Sequence, residues 1–276
     1  MAKDRENIPV APTLMGSLRS MGYSFESAVA DVIDNSISAH ATLVKVLFPT
    51  NPLDPTAVGI LDDGDGMSDE VLFEAMRYGS MASEAERDEH DLGRFGMGMK
   101  AASLSQCRNL TVVSYSEGKR SAYTWDYVYI QKKQQWIIQE LSSQEIDELP
   151  YIRLIAEQSK GTLVIWSDFD VLSKSSDGQV YETLVDLKKV LDKALALIFH
   201  RYLSANGDTK LRIQINHQVV KPLDPFLERH PKTTSKKERT IAINDSNGIE
   251  RIIRIKPFVL PFATCLLYTS PSPRDS

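Results

Sequence analysis

The sequence predicts an α+β protein, a two-layer α/β sandwich whose mixed, mostly antiparallel sheet is covered by helices. Three observations carry this expectation. A helical period begins at Ser24, with Phe25, Ala28, Val29, Val32, Ile33 and Ile37 recurring at three- and four-residue spacing. Strand patterns then crowd together at "NLTVVSYS", "SAYTWDYVYI", "QWIIQEL" and "GTLVIWSDF", separated by charged turns such as "SEGKR". Strands so close in sequence imply an antiparallel meander, since parallel pairs need long crossovers. A long helical segment from about Val180 to Tyr202 then ends the unit, with "SANGD" as its terminating turn.

Each element has its own signal. Ser24 is placed to cap the first helix, and Asp31, Asp34, Asn35 and Ser38 fall together on a second, polar face of it. "ATLVKVLF" alternates as a strand; "NPLDPT" reads as a turn, and "AVGIL" as a short buried strand entering "DDGDGM". Ser68 caps the next helix, "SDEVLFEAMRYG", where Asp69 and Glu70 suit its positive end. "SMASEAERDEHD" (Ser80 to Asp91) is charged and nearly free of large apolar groups, so it reads as a mobile surface segment. The small residues after Lys100 fit a helix packed closely on a sheet. "KLRIQINHQVV" and "ERIIRIKPFVL" read as strands of a second unit, with "RHPKTTSKKER" as a basic loop between them.

Composition sets bounds on this picture. Of 276 residues, 42% are hydrophobic and 25% charged, which is ordinary for a soluble globular chain. A net charge of −5 argues against a protein that coats nucleic acid. The N-terminus lacks the apolar core of a signal peptide and no run is long enough to span a membrane, so a cytoplasmic location is expected. Two cysteines make no disulfide framework. "CLLYTSPSPRD" (Cys265 to Asp275) matches the translation of a transposon-end adaptor, so residues 265–276 are expected to be a non-native tail, with the native reading ending near Thr264. His40, His90, His200, His217 and His230 show no metal-ligand spacing.

Four segments carry chemistry. In "DVIDN", Asp31 and Asn35 stand one helical turn apart; the pair is either a solvated stripe or a carboxylate and amide able to orient water and complete a Mg2+ shell. In "DDGDGM", a strand ends in Asp62, and Gly64 and Gly66 let the backbone approach a planar ligand. That stretch also suits an acidic turn, although an EF-hand is disfavoured because its bidentate glutamate is missing. "LGRFGMGMKAAS" offers the backbone N–H groups of Gly93, Gly96 and Gly98 to phosphates at a helix start, with Lys100 as a point charge. It is neither a Walker A loop nor a dinucleotide fingerprint. Gly161–Thr162 opens a later strand, where a hydroxyl joins a polar network around a base.

In this order the four segments resemble the GHKL superfamily of ATP-binding domains, the Bergerat fold of gyrase B subunits, large heat-shock chaperones, histidine kinases and MutL proteins. "AVADVIDNSISA", "YGSMAS" and "LGRFGMGMKAAS" look most like MORC-type and related prokaryotic ATPases. The resemblance covers about Met15 to Tyr202, within an ATP-binding domain expected at residues 1–205 whose lid is at about 80–100. Residues 206–264, with "INHQVVKPLDPF", are similar to the start of a ribosomal-S5-like transducer domain.

The resemblance implies ATP and Mg2+ as cofactors, with Asn35 ligating the metal and Asp62 binding the adenine amino group. It implies that Gly64, Gly66 and Met67 shape the base pocket and that Thr162 supports Asp62. Gly93, Phe95, Gly96, Met97 and Gly98 would then cover the phosphates, with Asp31 and Lys100 as the catalytic pair. Asp31 departs from the family's usual glutamate, being one methylene shorter, which puts turnover in more doubt than binding. The leading expectation is a MORC- or MutL-like clamp: a slow ATPase that dimerises on nucleotide and acts on DNA or a protein client. A non-hydrolysing, ATP-gated interaction module is the alternative. A histidine kinase is a third class, disfavoured because no histidine precedes Asp31.

Overall fold

A computed structural model describes residues 15–17, 19–20, 22–77, 98–175, 179–205, 210–244 and 250–262. The chain divides into two compact units, Met1–Pro222 and Leu223–Ser276.

The first unit runs α1 (Phe25–Ser38), β1 (Leu43–Leu47), β2 (Ala57–Asp62), α2 (Asp69–Met76), α3 (Gly98–Gln106), β3 (Asn109–Ser116) and β4 (Lys119–Asp126). It continues through α4 (Tyr127–Lys133), β5 (Gln139–Glu140), α5 (Ser143–Asp147), α6 (Ile152–Ala156), β6 (Gly161–Ser167), α7 (Asp170–Ser175), α8 (Val180–Ile198), α9 (His200–Ser204), β7 (Arg212–Ile215) and β8 (Gln218–Val219). Eight strands form one sheet in the order β5-β4-β3-β6-β2-β1-β7-β8. Every pairing is antiparallel except β1 with β7.

Period-two alternation sends side chains to two faces of this sheet. On one face Val44, Val46, Val58, Ile60, Leu110, Val112, Val164 and Trp166 pack with the apolar stripe of α1 and with Leu184, Leu191 and Leu195 of α8. Phe25, at the start of that stripe, meets Trp166 edge-on at 5.7 Å between ring centres. On the other face Leu61, Val113, Leu163 and Ile165 are covered by Ile146 of α5 and by Ile152 and Ile155 of α6. The central strand β2 is consequently buried along its whole length. The mixed, mainly antiparallel sheet with its helical cover is the fold class that the sequence predicts.

Local chemistry sets the boundaries. Ser24 caps α1 by accepting from the Ser27 N–H, and Ser68 caps α2 by accepting from Val71 N–H. The strand expected across "SAYTWDYVYI" stops at Asp126, whose carboxylate accepts the Tyr129 N–H at 2.9 Å and starts α4. An N-cap thus overrides the β-propensity of Tyr127, Val128 and Tyr129. "QWIIQEL" contributes only two residues to the sheet, and the short helices α5, α6 and α7 have no counterpart in the sequence reading.

The domain boundary expected at 205 also moves. β7 pairs in parallel with β1, Leu43 opposite Arg212 and Val46 opposite Ile215, so this stretch completes the first sheet and the unit runs to Pro222. In the second unit β10 (Arg239–Asn244) pairs with β11 (Glu250–Ile255), and β9 (Thr234–Ser235) with β12 (Phe258–Val259). Part of the expected basic loop is therefore strand. The tail at 265–276 lies outside the described residues.

The core makes a direct prediction. Leu110 is fully buried, so Leu110→Ala is expected to cost about 2–5 kcal/mol through lost burial and the cavity left behind. The urea midpoint of unfolding, compared at unchanged slope, measures it.

Candidate functional site

The site begins as an interruption of the apolar pattern. Along the helix-covered face, β3 reads Leu110, Val112, Ser114; β6 reads Trp166, Val164, Thr162; β2 reads Val58, Ile60, Asp62. Register aligns the last member of each, because Thr162 stands opposite both Asp62 and Ser114. Three adjacent strands thus end their core-facing rows in a polar group, and these form one buried row across the sheet.

Asp62 is the charged member and is only 6% exposed. An unpartnered carboxylate there would be prohibitively costly, so its partners define the site. The Ser36 hydroxyl on α1 donates to Oδ2 at 2.9 Å. The Gly64 N–H donates to Oδ1 at 2.9 Å and the Thr162 N–H donates to the same atom at 3.1 Å. Burial pushes the carboxyl above its ordinary range, opposed by these three hydrogen bonds. A carboxylate has about four acceptor positions, and these protein donors occupy three of them. Thr162 does support Asp62, but through its backbone N–H; the expected role of its hydroxyl gives way to the strand geometry that aims the amide at Oδ1.

Two glycines bring backbone against backbone around this group. Gly66 has φ +70°, and a Cβ there would stand 2.3 Å from the Tyr115 carbonyl oxygen. Gly161 has φ +138°, and its Cβ would stand 2.2 Å from the Asp62 carbonyl oxygen. Both positions exclude a side chain by conformation and by space. Ser114 ties the two loops together: its Oγ accepts the Met67 N–H at 2.7 Å and donates to the Gly161 carbonyl at 3.3 Å.

The neighbouring carboxylates do different work. Asp63 accepts from the Thr42 N–H, the Thr42 hydroxyl and the Leu43 N–H, which holds the glycine loop to the start of β1. Asp65 pairs with His40 and with Lys160, each at 2.7 Å, on the exposed rim.

On α1, the polar face is as spaced in the sequence. Asn35 Nδ2 donates to the Asp31 carbonyl at 2.6 Å, which leaves the amide oxygen as its acceptor. Asp34, half-buried beside Asp31, is raised to about 6 by burial and then by the Asp31 charge. Tyr23 is raised by burial and then by the neighbouring Asp31 carboxylate. A Mg2+ fits this donor set only as a shared ion. Asn35 offers one neutral oxygen, and among the described residues no cluster of three metal-ligating side chains exists. The remaining ligands would be phosphate and water oxygens, as suits Mg2+.

Gly93, Phe95, Gly96 and Met97 lie outside the described residues, as does most of the expected lid; Gly98 opens α3. Lys100 is described, and its placement differs from the expectation. It is 1% exposed, and its Nζ donates to the carbonyls of Ala75, at 2.9 Å, and Arg77. The residues that the sequence reading misses are Ser36, Ser114 and Tyr23. For the two serines a signal exists, since each places a hydroxyl at an apolar-period position of its helix or strand.

A buried carboxylate held by three donors, with backbone packed close at two glycines, is the distinctive polar feature of this end of the sheet. Residues 23–162 match the family described as histidine kinase-, DNA gyrase B-, and HSP90-like ATPase. The chain belongs to that family, and its first unit holds an ATP-binding domain of the GHKL type. No curated relative matches. Among the described residues no helix is long and apolar enough to cross a membrane.

The burial of Asp62 sets a pH dependence. Its folded pKa lies above the unfolded value of 3.8, so the folded state holds the proton more tightly. The contribution of Asp62 to stability is therefore best below 3.8 and declines as pH rises towards the raised folded value. Relative to Asp62→Asn, the unliganded wild type is expected to lose stability as pH rises above ~4, a trend that paired urea titrations would reveal.

Proposed function

We propose that the chain binds Mg2+–ATP and hydrolyses it slowly, using nucleotide to drive a dimerising clamp of MORC or MutL type. The observation that carries the nucleotide part is Asp62, desolvated, held by three donors and left with one acceptor position for the adenine amino group. Gly64, Gly66 and Met67 line the base pocket, and the Thr162 amide keeps Asp62 oriented. Asn35 supplies an oxygen to the metal, and Gly93, Phe95, Gly96, Met97 and Gly98 cover the phosphates with backbone amides. When bound, Mg2+ supplies charge neutralisation on the phosphates.

Asp31 is the base in this reading, orienting the attacking water. Its side chain is one methylene shorter than the family's usual glutamate and so is short for that reach. This favours slow turnover, and it supports the second reading, in which binding alone gates an interaction. The second unit is assigned as the start of a ribosomal-S5-like transducer that relays dimerisation to DNA or a protein client, with the protein working in the cytoplasm.

Two substitutions separate the parts. Asp62→Asn is expected to abolish ATP binding by calorimetry while the fold persists, because asparagine still accepts from both amides. Asp31→Asn is expected to bind ATP at near wild-type affinity and to show no single-turnover hydrolysis. Undiminished affinity in the Asp62 variant would remove the site assignment.

A further inference from the structure

Among the described residues Lys100 is the one buried lysine, and it does not sit as the phosphate contact that the resemblance implies. Its surroundings give it a different task. The last carbonyls of an α-helix have no partner inside the helix. At the end of α2, those of Ala75 and Arg77 accept from Lys100 Nζ, and that of Met76 accepts from Trp125 Nε1 at 2.9 Å. A cation suits this position, because the helix dipole places partial negative charge there. Burial lowers the amine to about 8, which still leaves it mostly protonated at neutral pH.

The location adds meaning. Arg77 follows directly on α2, and Lys100 lies in the first turn of α3, so this bond joins chain on either side of residues 78–97. Closing such a span costs conformational entropy that a contact at its neck must offset. Upstream, α2 is capped by Ser68, immediately after the Gly64–Met67 loop beside Asp62. One side chain therefore ties the start of the second glycine segment's helix to the element that carries the first.

We propose that Lys100 is a positioning residue. It clasps α3 to the C-terminal end of α2, the helix that follows the Gly64–Met67 loop, and its amine does not contact the phosphates. The functional consequence rests on the ATP-site reading above; the clasp itself does not.

The test uses the whole chain. Lys100→Met keeps the length and removes the donor. Without nucleotide, its melting midpoint is expected to fall by about 4 °C or more, and amides of 69–77 are expected to exchange faster with deuterium. With nucleotide, adenosine and ATP are expected to weaken by the same factor, on the order of tenfold, as lost charge-assisted bonds imply. Lys100→Arg, which keeps a donor, should recover part of both effects. An unchanged melting midpoint, with weakened ATP and unaltered adenosine affinity, would overturn the proposal in favour of a phosphate contact.

A wild-type measurement covers the case in which the methionine variant does not fold. Lys100 should acylate with acetic anhydride far more slowly than the exposed Lys189, with or without ATP. Labelling of Lys100 that ATP suppresses would overturn the clasp. If wild-type protein binds neither adenosine nor ATP, the nucleotide reading fails, while melting and acylation still decide the clasp.

Discussion

The buried charge of Asp62 is the constraint on which the rest of the first unit depends. A carboxylate removed from water is tolerable only when its lone pairs are occupied by well-placed donors. Those donors come from three elements far apart in sequence: Ser36 on α1, Gly64 in the loop after β2, and Thr162 at the head of β6. Satisfying Asp62 therefore fixes how α1 sits on the sheet and how β6 registers with β2. In the ATP-site reading, the acceptor position that these three donors leave would take the adenine amino group.

Backbone conformation follows from that demand. The loop after Asp62 must return its own amide to the carboxylate within two residues, and β6 must begin close enough to present another. Gly161 and Gly66 meet this requirement at positive φ, with carbonyl oxygens where a side chain would stand. Ser114 then links Met67 to Gly161, so a hydroxyl from β3 joins the two loops that Asp62 draws together. The acidic run "DDGDG" divides into three environments in consequence: Asp62 buried, Asp63 holding the start of β1, and Asp65 paired on the rim.

Much of this is legible in the sequence, for physical reasons. The strands Asn109–Ser116 and Gly161–Ser167 and the helices after Ser24 and Ser68 stand out because period and capping act locally. Asp62 is legible because a carboxylate at the end of an apolar strand has to be accounted for. Other features depend on contacts that a linear reading does not contain. Tyr127 to Lys133 carries residues of high β-propensity, yet the Asp126 cap turns it into helix. The "KLRIQINHQVV" strands look like a new domain until β1 is seen to offer them a parallel edge. Lys100 beside a glycine loop suggests a phosphate ligand, whereas its ammonium lies on the carbonyls of α2. Propensity and motif give the residue and its chemistry; the partner comes from the tertiary arrangement.

In the ATP-site reading, the charge on α1 gives a cation its task. Asp31 and Asp34 lie on one face of that helix, which has no basic residue in its last turn. Asp34 is pushed up to about 6 by burial and by its neighbour, a sign that the negative charge there is poorly compensated. A polyphosphate brought against this face meets like charge at short range and low dielectric, where repulsion is strong. In the ATP-site reading, Asn35 stands beside these carboxylates with a neutral oxygen, able to ligate a metal without deepening the negative potential. A divalent ion ligated by Asn35 would supply positive charge that lowers this repulsion. In the same reading Asp62 would take the converse task at the base end, where the group recognised is neutral and planar.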